Sequence, residues 1–141
     1  VSALHHHLIR EGIRGSIDIV IEAGDIREVH HFATVLGYGA SAICPYMALD
    51  TIRQMEDDNL LGGLTSKQAI EKYIKAVDGG LLKIFSKMGI STLASYQGAQ
   101  IFEILGINSS VVDKYFTGTI SRIEGLDLND IAREALSLDN S

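Results

Sequence analysis

One cysteine, Cys44, stands in a chain of 141 residues. A lone thiol cannot close an internal disulfide, and a reducing compartment suits it best. Its apolar neighbours give it the setting of a buried free thiol. Long hydrophobic runs are missing too: none approaches the ~18 residues of a membrane-spanning helix, and no basic segment followed by an apolar one opens the chain as a signal peptide would. Positive charge is in deficit, with Lys and Arg totalling 12 against 18 Asp and Glu, for a net charge of -6. Attraction to phosphate backbones is therefore weak, and nucleic acid and anionic membranes are poor partners. Lys67, Lys72, Lys75, Lys83 and Lys87 form a local basic cluster interleaved with acids. An initiator methionine is absent as well, and a chain that begins at Val1 without a lead-in reads as a piece of something longer.

What remains is 46% hydrophobic residues and 21% charged ones. That is ample for one globular core and far short of the ~250 residues of a closed (β/α) barrel. The expectation is a single partial domain over residues 1–141. Near the start, LHHHLIREGIRG from Leu4 to Gly15 carries three consecutive histidines. Leu4, Leu8 and Ile9 flank them and Gly12 follows as a helical stop, so the run reads as a native helix rather than a tag. His5 and His7 lie roughly 200° apart on such a helix and cannot grip one ion together; adjacent His30 and His31 also diverge. Their bland role is hydrogen bonding inside the core or against a neighbouring domain. No CxxC, HExxH or spaced carboxylate set is present.

Periodicity alternates along the chain. Ile17 to Ala23 (IDIVIEA) reads as a strand buried mostly on both faces, and Gly24 ends it. Asp25 with Glu28 starts a helix whose Val29, Phe32, Ala33 and Leu36 share a face before Gly37. Ala40 to Cys44 is a second strand, bounded by Gly39 and Pro45, and Leu49, Ile52 and Met55 mark a further helix. Glu56 to Gly63 is a surface loop; Thr65 and Gln68 make a capping box ahead of Ala69, Ile70, Tyr73, Ile74 and Val77. Asp78-Gly79-Gly80 is expected to break or bend that helix before Leu81, Ile84, Phe85 and Met88 resume the stripe. Ser91 to Tyr96 (STLASY) reads as a third strand and Gly98 to Leu105 as helix. Beyond Gly106 every signal is helical, with Val111, Val112, Tyr115 and Phe116 on one segment and Asp127 capping another that carries Leu128, Ile131, Ala132 and Ala135.

Strands separated by helices imply parallel pairing with right-handed crossovers. The expected fold is α/β: an incomplete parallel β/α unit of about three strands with several packed helices, ending in an all-helical C-terminal segment. Ligand-facing groups in such sheets project from the carboxyl ends of the strands. That places Glu22, Cys44 with Tyr46, and Ser95, Tyr96 and Gln97 where chemistry would sit, although no nucleophile, base and orienter converge among them. Gly37-Tyr38-Gly39-Ala40-Ser41-Ala42 matches a dinucleotide-binding pattern, but it ends a helix and opens a strand, the reverse of what that pattern needs. Lys83, Ser86 and Lys87 near the Gly89 turn offer positive charge for a phosphate; helix carboxyl ends repel anions, and lysines there complement the dipole.

The stretches HHHLIREG, EVHHFATVLGYGASAICPYMAL, KYIKAVDGGLLKIFSKMGISTLASYQGAQIFEILGIN and DKYFTGTISRIEGLDLNDIAREAL resemble the large chain of glutamate synthase, more narrowly the C-terminal part of its central domain, just ahead of the FMN-binding barrel. The resemblance implies a parent oxidoreductase of nitrogen assimilation that makes glutamate from glutamine and 2-oxoglutarate, with NADPH, NADH or ferredoxin as electron source. It also implies FMN and a 3Fe-4S cluster in the parent, an amidotransferase domain and an FMN-binding domain as partners in the same chain, and a cytoplasmic location, or a plastid in a photosynthetic eukaryote. Cluster ligation needs several thiolates and the amidotransferase a terminal one. With Cys44 alone, no catalytic, cofactor or metal residue transfers to this chain. The expectation is a non-catalytic scaffold along the ammonia path, prone to self-association in isolation. The competing reading is an independent β/α module in which the strand ends around Tyr46, Ser95 and Tyr96, helped by Lys87, bind a flavin or small anion; Glu22 is a further strand-end or interface candidate.

Overall fold

A computed structural model describes residues 1–139 of the chain and divides them into two packing units. The first holds Val1 and residues 18–99, the second residues 2–17 and the chain from Gln100 onward.

In the first unit, β1 (Val20–Glu22) is followed by α2 (Val29–Gly37), β2 (Ala42–Cys44), α3 (Tyr46–Asp57), α4 (Ser66–Lys87) and α5 (Leu93–Tyr96). β1 and β2 pair in parallel, Ile21 beside Ile43 and Glu22 beside Cys44. The two isoleucines turn inward onto a core of Ile26, Phe32 and Val77, with Val35, Tyr73 and Leu81 packed around it. Glu28 caps α2 itself: its backbone N–H donates to Nδ1 of His31, the third residue of the helix, at 3.3 Å. The capping box of Thr65 and Gln68 forms as expected. Gly39, at φ +110°, sits between α2 and β2 in a conformation that glycine alone adopts cheaply, so the glycine-rich match closes a helix and leads into a strand.

Several expectations are corrected here. The anticipated third strand is the short helix α5: the Thr92 hydroxyl accepts from the Ser95 N–H and starts a helical turn, and Tyr96 packs on Phe85 with ring centroids 4.4 Å apart. Asp78-Gly79-Gly80 does not break the helix, because α4 runs through it for 22 residues. Tyr73, Val77 and Leu81 keep one face on the core across the glycines. Cys44 is exposed rather than buried. Nor is the first strand covered on both faces: it is three residues long and Val20 is 69% exposed.

In the second unit, α1 (Ser2–Arg10) and a 3-10 turn (Arg14–Ser16) join β3 (Glu103–Ile107), α6 (Ser109–Tyr115), β4 (Ile120–Leu126) and α7 (Leu128–Asp139). The segment from Gly98 to Leu105 is therefore not helical, since Gly98 and Gln100 at φ +75° and +53° interrupt it before β3 begins. The C-terminal segment is not all-helical either, for β4 pairs with β3 in parallel. Between the pairs Leu105–Ile123 and Ile107–Leu126, two residues of β4 oppose one of β3, and that bulge faces Gly125 onto Gly106. Glu124 in the bulge accepts the Ser109 N–H at 2.8 Å, and Asn108 accepts from Ser110, so both cap α6. Asp127 opens α7 as expected, accepting from the Asn129 and Asp130 N–H groups. The class is α/β, with parallel strand pairs joined through helices.

Candidate functional site

The five candidates are spread over four elements, β1, α3, α4 and α5. Glu22 ends β1 exposed, beside Cys44 on β2. Tyr46 opens α3 half in solvent, and its hydroxyl with the Met47 methyl lies close to Gly24. Lys87 lies on the last turn of α4, exposed, where it complements the helix dipole. The Ser95 hydroxyl accepts from Thr92 at 2.8 Å and belongs to the α5 cap. Tyr96 is fully buried, and its hydroxyl has no hydrogen-bond partner among the described residues; burial also raises its pKa. Gln97 donates to the Ala40 carbonyl at 2.7 Å and ties α5 back to the start of β2.

Besides a cleft of about 420 Å³ at Leu64, Gln68, Glu71, Lys72 and Lys75, two more open on the first unit. One, of about 340 Å³, lies between α2, α3 and α4 and is lined by Phe32, Ile43, Pro45, Leu49, Tyr73 and Val77 among others. It is apolar and contains none of the five candidates. The other, of about 530 Å³, brings Lys83 and Lys87 opposite Glu28 and His30 around a floor of Val29, Gly80 and Ile84.

The histidines that open the chain are held by the fold. His5 Nδ1 accepts from Arg14 Nε at 3.0 Å, which lowers the His5 pKa, first through burial and then through the neighbouring Arg14 and His6 charges. His6 spans 111 positions of sequence: Nε2 reaches the Thr117 carbonyl at 3.2 Å while Nδ1 faces Ser2. His31 caps α2. Among the described residues, no group of three or more His, Cys, Asp or Glu side chains is placed to hold a metal ion. A 3Fe-4S cluster requires several thiolates and does not fit a chain with Cys44 alone. No helix among the described residues is long and apolar enough to cross a membrane.

The sequence pattern reads Gly80 only as a helix breaker, places Gly125 in a segment taken as helical, and gives no sign of the His6 contact.

Comparison with known proteins accounts for this arrangement. Residues 1–108 match the family described as glutamate synthase central domain. The large chain of glutamate synthase [NADPH] from Bacillus subtilis is 53% identical over 135 residues, covering 96% of this chain and 9% of the relative. Glutamate synthase [NADH] from Schizosaccharomyces pombe is 49% identical, over 96% of this chain and 6% of its own length. A ferredoxin-dependent glutamate synthase of Arabidopsis thaliana is 51% identical, over 97% and 9%. This chain thus spans a tenth or less of each of these relatives, and with 77% of its own residues inside the matched model (108 of 141), it belongs to the glutamate synthase central domain family.

Proposed function

We propose that these 141 residues are one partial domain of a glutamate synthase large chain and serve it as a non-catalytic scaffold. The parent makes glutamate from glutamine and 2-oxoglutarate, in the cytoplasm or a plastid. Its amidotransferase and FMN-binding domains are this segment's partners within the same polypeptide, and those domains hold the FMN and the 3Fe-4S cluster. The observation that carries the reading is the family match over the chain, in which the Ser95 hydroxyl and the Gln97 side chain are engaged in holding α5. A path that hands ammonia from one site to another must exclude water, and well-packed α/β layers serve that need. Exposed apolar side chains such as Val20, Leu82, Leu105 and Leu136, each above 60%, favour self-association of the isolated chain.

Equilibrium dialysis of the purified chain with FMN and with 2-oxoglutarate, together with a glutaminase assay, tests this. The expected outcome is no saturable micromolar binding and no turnover. Saturable binding of either ligand would instead favour an independent module using Tyr46, Ser95, Tyr96 and Lys87. Turnover of glutamine by the chain alone would overturn the scaffold reading.

A further inference from the structure

Lysines and acids alternate along the middle of the sequence, but helix α4 sorts them. It carries five of the chain's six lysines. At about 100° per residue, Lys72, Lys75, Lys83 and Lys87 fall within an arc of roughly 120°, turned away from the stripe of Tyr73, Val77 and Leu81 that holds the core. The two acids of α4 stay outside that arc: Glu71 borders it, and Asp78 lines the apolar cleft behind. All four lysines are exposed, as are Ala76 and Gly79 between them. Among the described residues none of the four has an ion-pair partner. The cleft of about 420 Å³ takes in Lys72 and Lys75 at one end of the face, and that of about 530 Å³ takes in Lys83 and Lys87 at the other. Midway, a β-carbon on Gly79 would meet nothing within 4 Å, so the face dips where the helix backbone is bare.

The helix dipole accounts for Lys87, in the last turn, and not for Lys72 or Lys75. The two lysine pairs stand three turns apart, about 17 Å, which is too far for one small anion to bridge. A polyphosphate meets the net charge of -6 of the whole chain, whereas a folded protein presents one acidic strip to this one basic strip. Permanent burial inside a larger chain would desolvate four lysines, and lasting interfaces are built on apolar surface instead. We infer that this face of α4 docks an acidic helix of a second protein, with carboxylates three turns apart reaching Lys72 and Lys75 at one end and Lys83 and Lys87 at the other. The dip at Ala76 and Gly79 lets the two backbones come close. Charge pairs of this exposed kind set partner choice and association rate and weaken with salt, as a transient contact requires. The inference goes beyond the scaffold reading and does not depend on it.

Fluorescence anisotropy on the full polypeptide of the same gene tests the inference. The probe is a labelled, stapled alanine-based helix with two glutamate pairs three turns apart. Saturable binding is expected, at least tenfold tighter than for a helix of the same composition with its glutamates evenly spread. Affinity should fall at least tenfold between roughly 50 and 300 mM salt. The double variant Lys72→Glu, Lys83→Glu should weaken binding at least tenfold, and Lys67→Glu, off the face, less than twofold. Gly79→Leu fills the dip without a clash, so it should weaken binding at least tenfold with no fall in the urea midpoint. Equal binding of the two helices, equal losses at Lys67 and at the face, or no saturable binding would each overturn the inference. Tighter binding of inorganic polyphosphate than of the matched helix would overturn it too, by assigning the face to polyanions. Resistance of the four lysines to acetic anhydride in the full polypeptide would overturn it by showing the face covered from within.

Discussion

Gly80 in the middle of α4 lies directly under Val29 in the first turn of α2, so close that a β-carbon on Gly80 would stand 2.6 and 2.7 Å from the two Val29 methyls. Its neighbour Gly79 has nothing within 4 Å of the same position. The two glycines therefore do different things. Gly80→Ala is expected to destabilise by about 1–3 kcal/mol through overpacking, and Val29→Ala should recover much of that loss in the double variant. Gly79→Ala should stabilise by roughly 0.5–1 kcal/mol, since it restores helix propensity without a clash. Urea midpoints of the four variants decide the matter; a stabilising Gly80→Ala would show that α2 does not depend on the gap.

Tyr96 and Tyr73 make a second contrast. The Tyr73 hydroxyl donates to the Arg27 carbonyl at 2.8 Å, whereas the Tyr96 hydroxyl is buried without a partner. An unpaired buried hydroxyl carries a desolvation cost of about 1–3 kcal/mol that removal relieves, while a made hydrogen bond contributes roughly 0.5–1.5 kcal/mol. Tyr96→Phe should therefore raise the melting temperature or leave it unchanged, and Tyr73→Phe should lower it. A clear loss on Tyr96→Phe would mean that the hydroxyl is satisfied.

Histidine 5 makes the second unit sensitive to pH. Burial first, and then the neighbouring Arg14 and His6 charges, favour the neutral ring in the folded state, so the pKa lies below the ordinary 6.5, and Nδ1 accepts from Arg14. Above 6.5 the ring is neutral both folded and unfolded, and His5 adds no pH dependence. As pH falls below 6.5 the unfolded chain binds a proton that the folded chain refuses, so stability declines until the folded pKa is reached. His5→Asn keeps an acceptor for Arg14 and removes the titration. The fall in urea midpoint between pH 7.5 and 5.5 should be smaller in His5→Asn than in the parent sequence; an equal or larger fall would sink the assignment.

These examples also show how much was legible from sequence. α2, β2, α3, the Thr65–Gln68 cap and the Asp127 cap could be read because each is set by residues within a few positions of one another. The break expected at Asp78-Gly79-Gly80 failed because a glycine that weakens a helix locally was retained for a contact some 50 positions away, with Val29. STLASY failed for a similar reason: its alternation suits a strand, but the Thr92 hydroxyl supplies a helical cap, and burial of Tyr96 on Phe85 fixes the turn. β3 and β4 were missed because their partners lie across a crossover, and β4, with Ile120, Ile123 and Leu126 spaced by three around the bulges, does not alternate. The strand-end site candidates followed from a sheet position that Ser95 and Tyr96 do not occupy.

The bulge between β3 and β4 rests on two glycines with different tasks, and substitution should separate them. Gly106 holds φ +77° with open space at its β-position, so Gly106→Ala meets only the left-handed backbone penalty of about 1–2 kcal/mol. Gly125 has an ordinary backbone, but its β-position falls against the Gly106 carbonyl oxygen, far inside contact distance, and a backbone atom cannot swing aside as a side chain does. Gly125→Ala must therefore push the strands apart at the point where the Asn108 N–H donates to the Leu126 carbonyl at 3.0 Å. The expected result is a larger loss of stability than for Gly106→Ala, accompanied by faster exchange of the Asn108 amide. A Gly125→Ala variant that leaves that amide protected would show that the two strands pair by some other register.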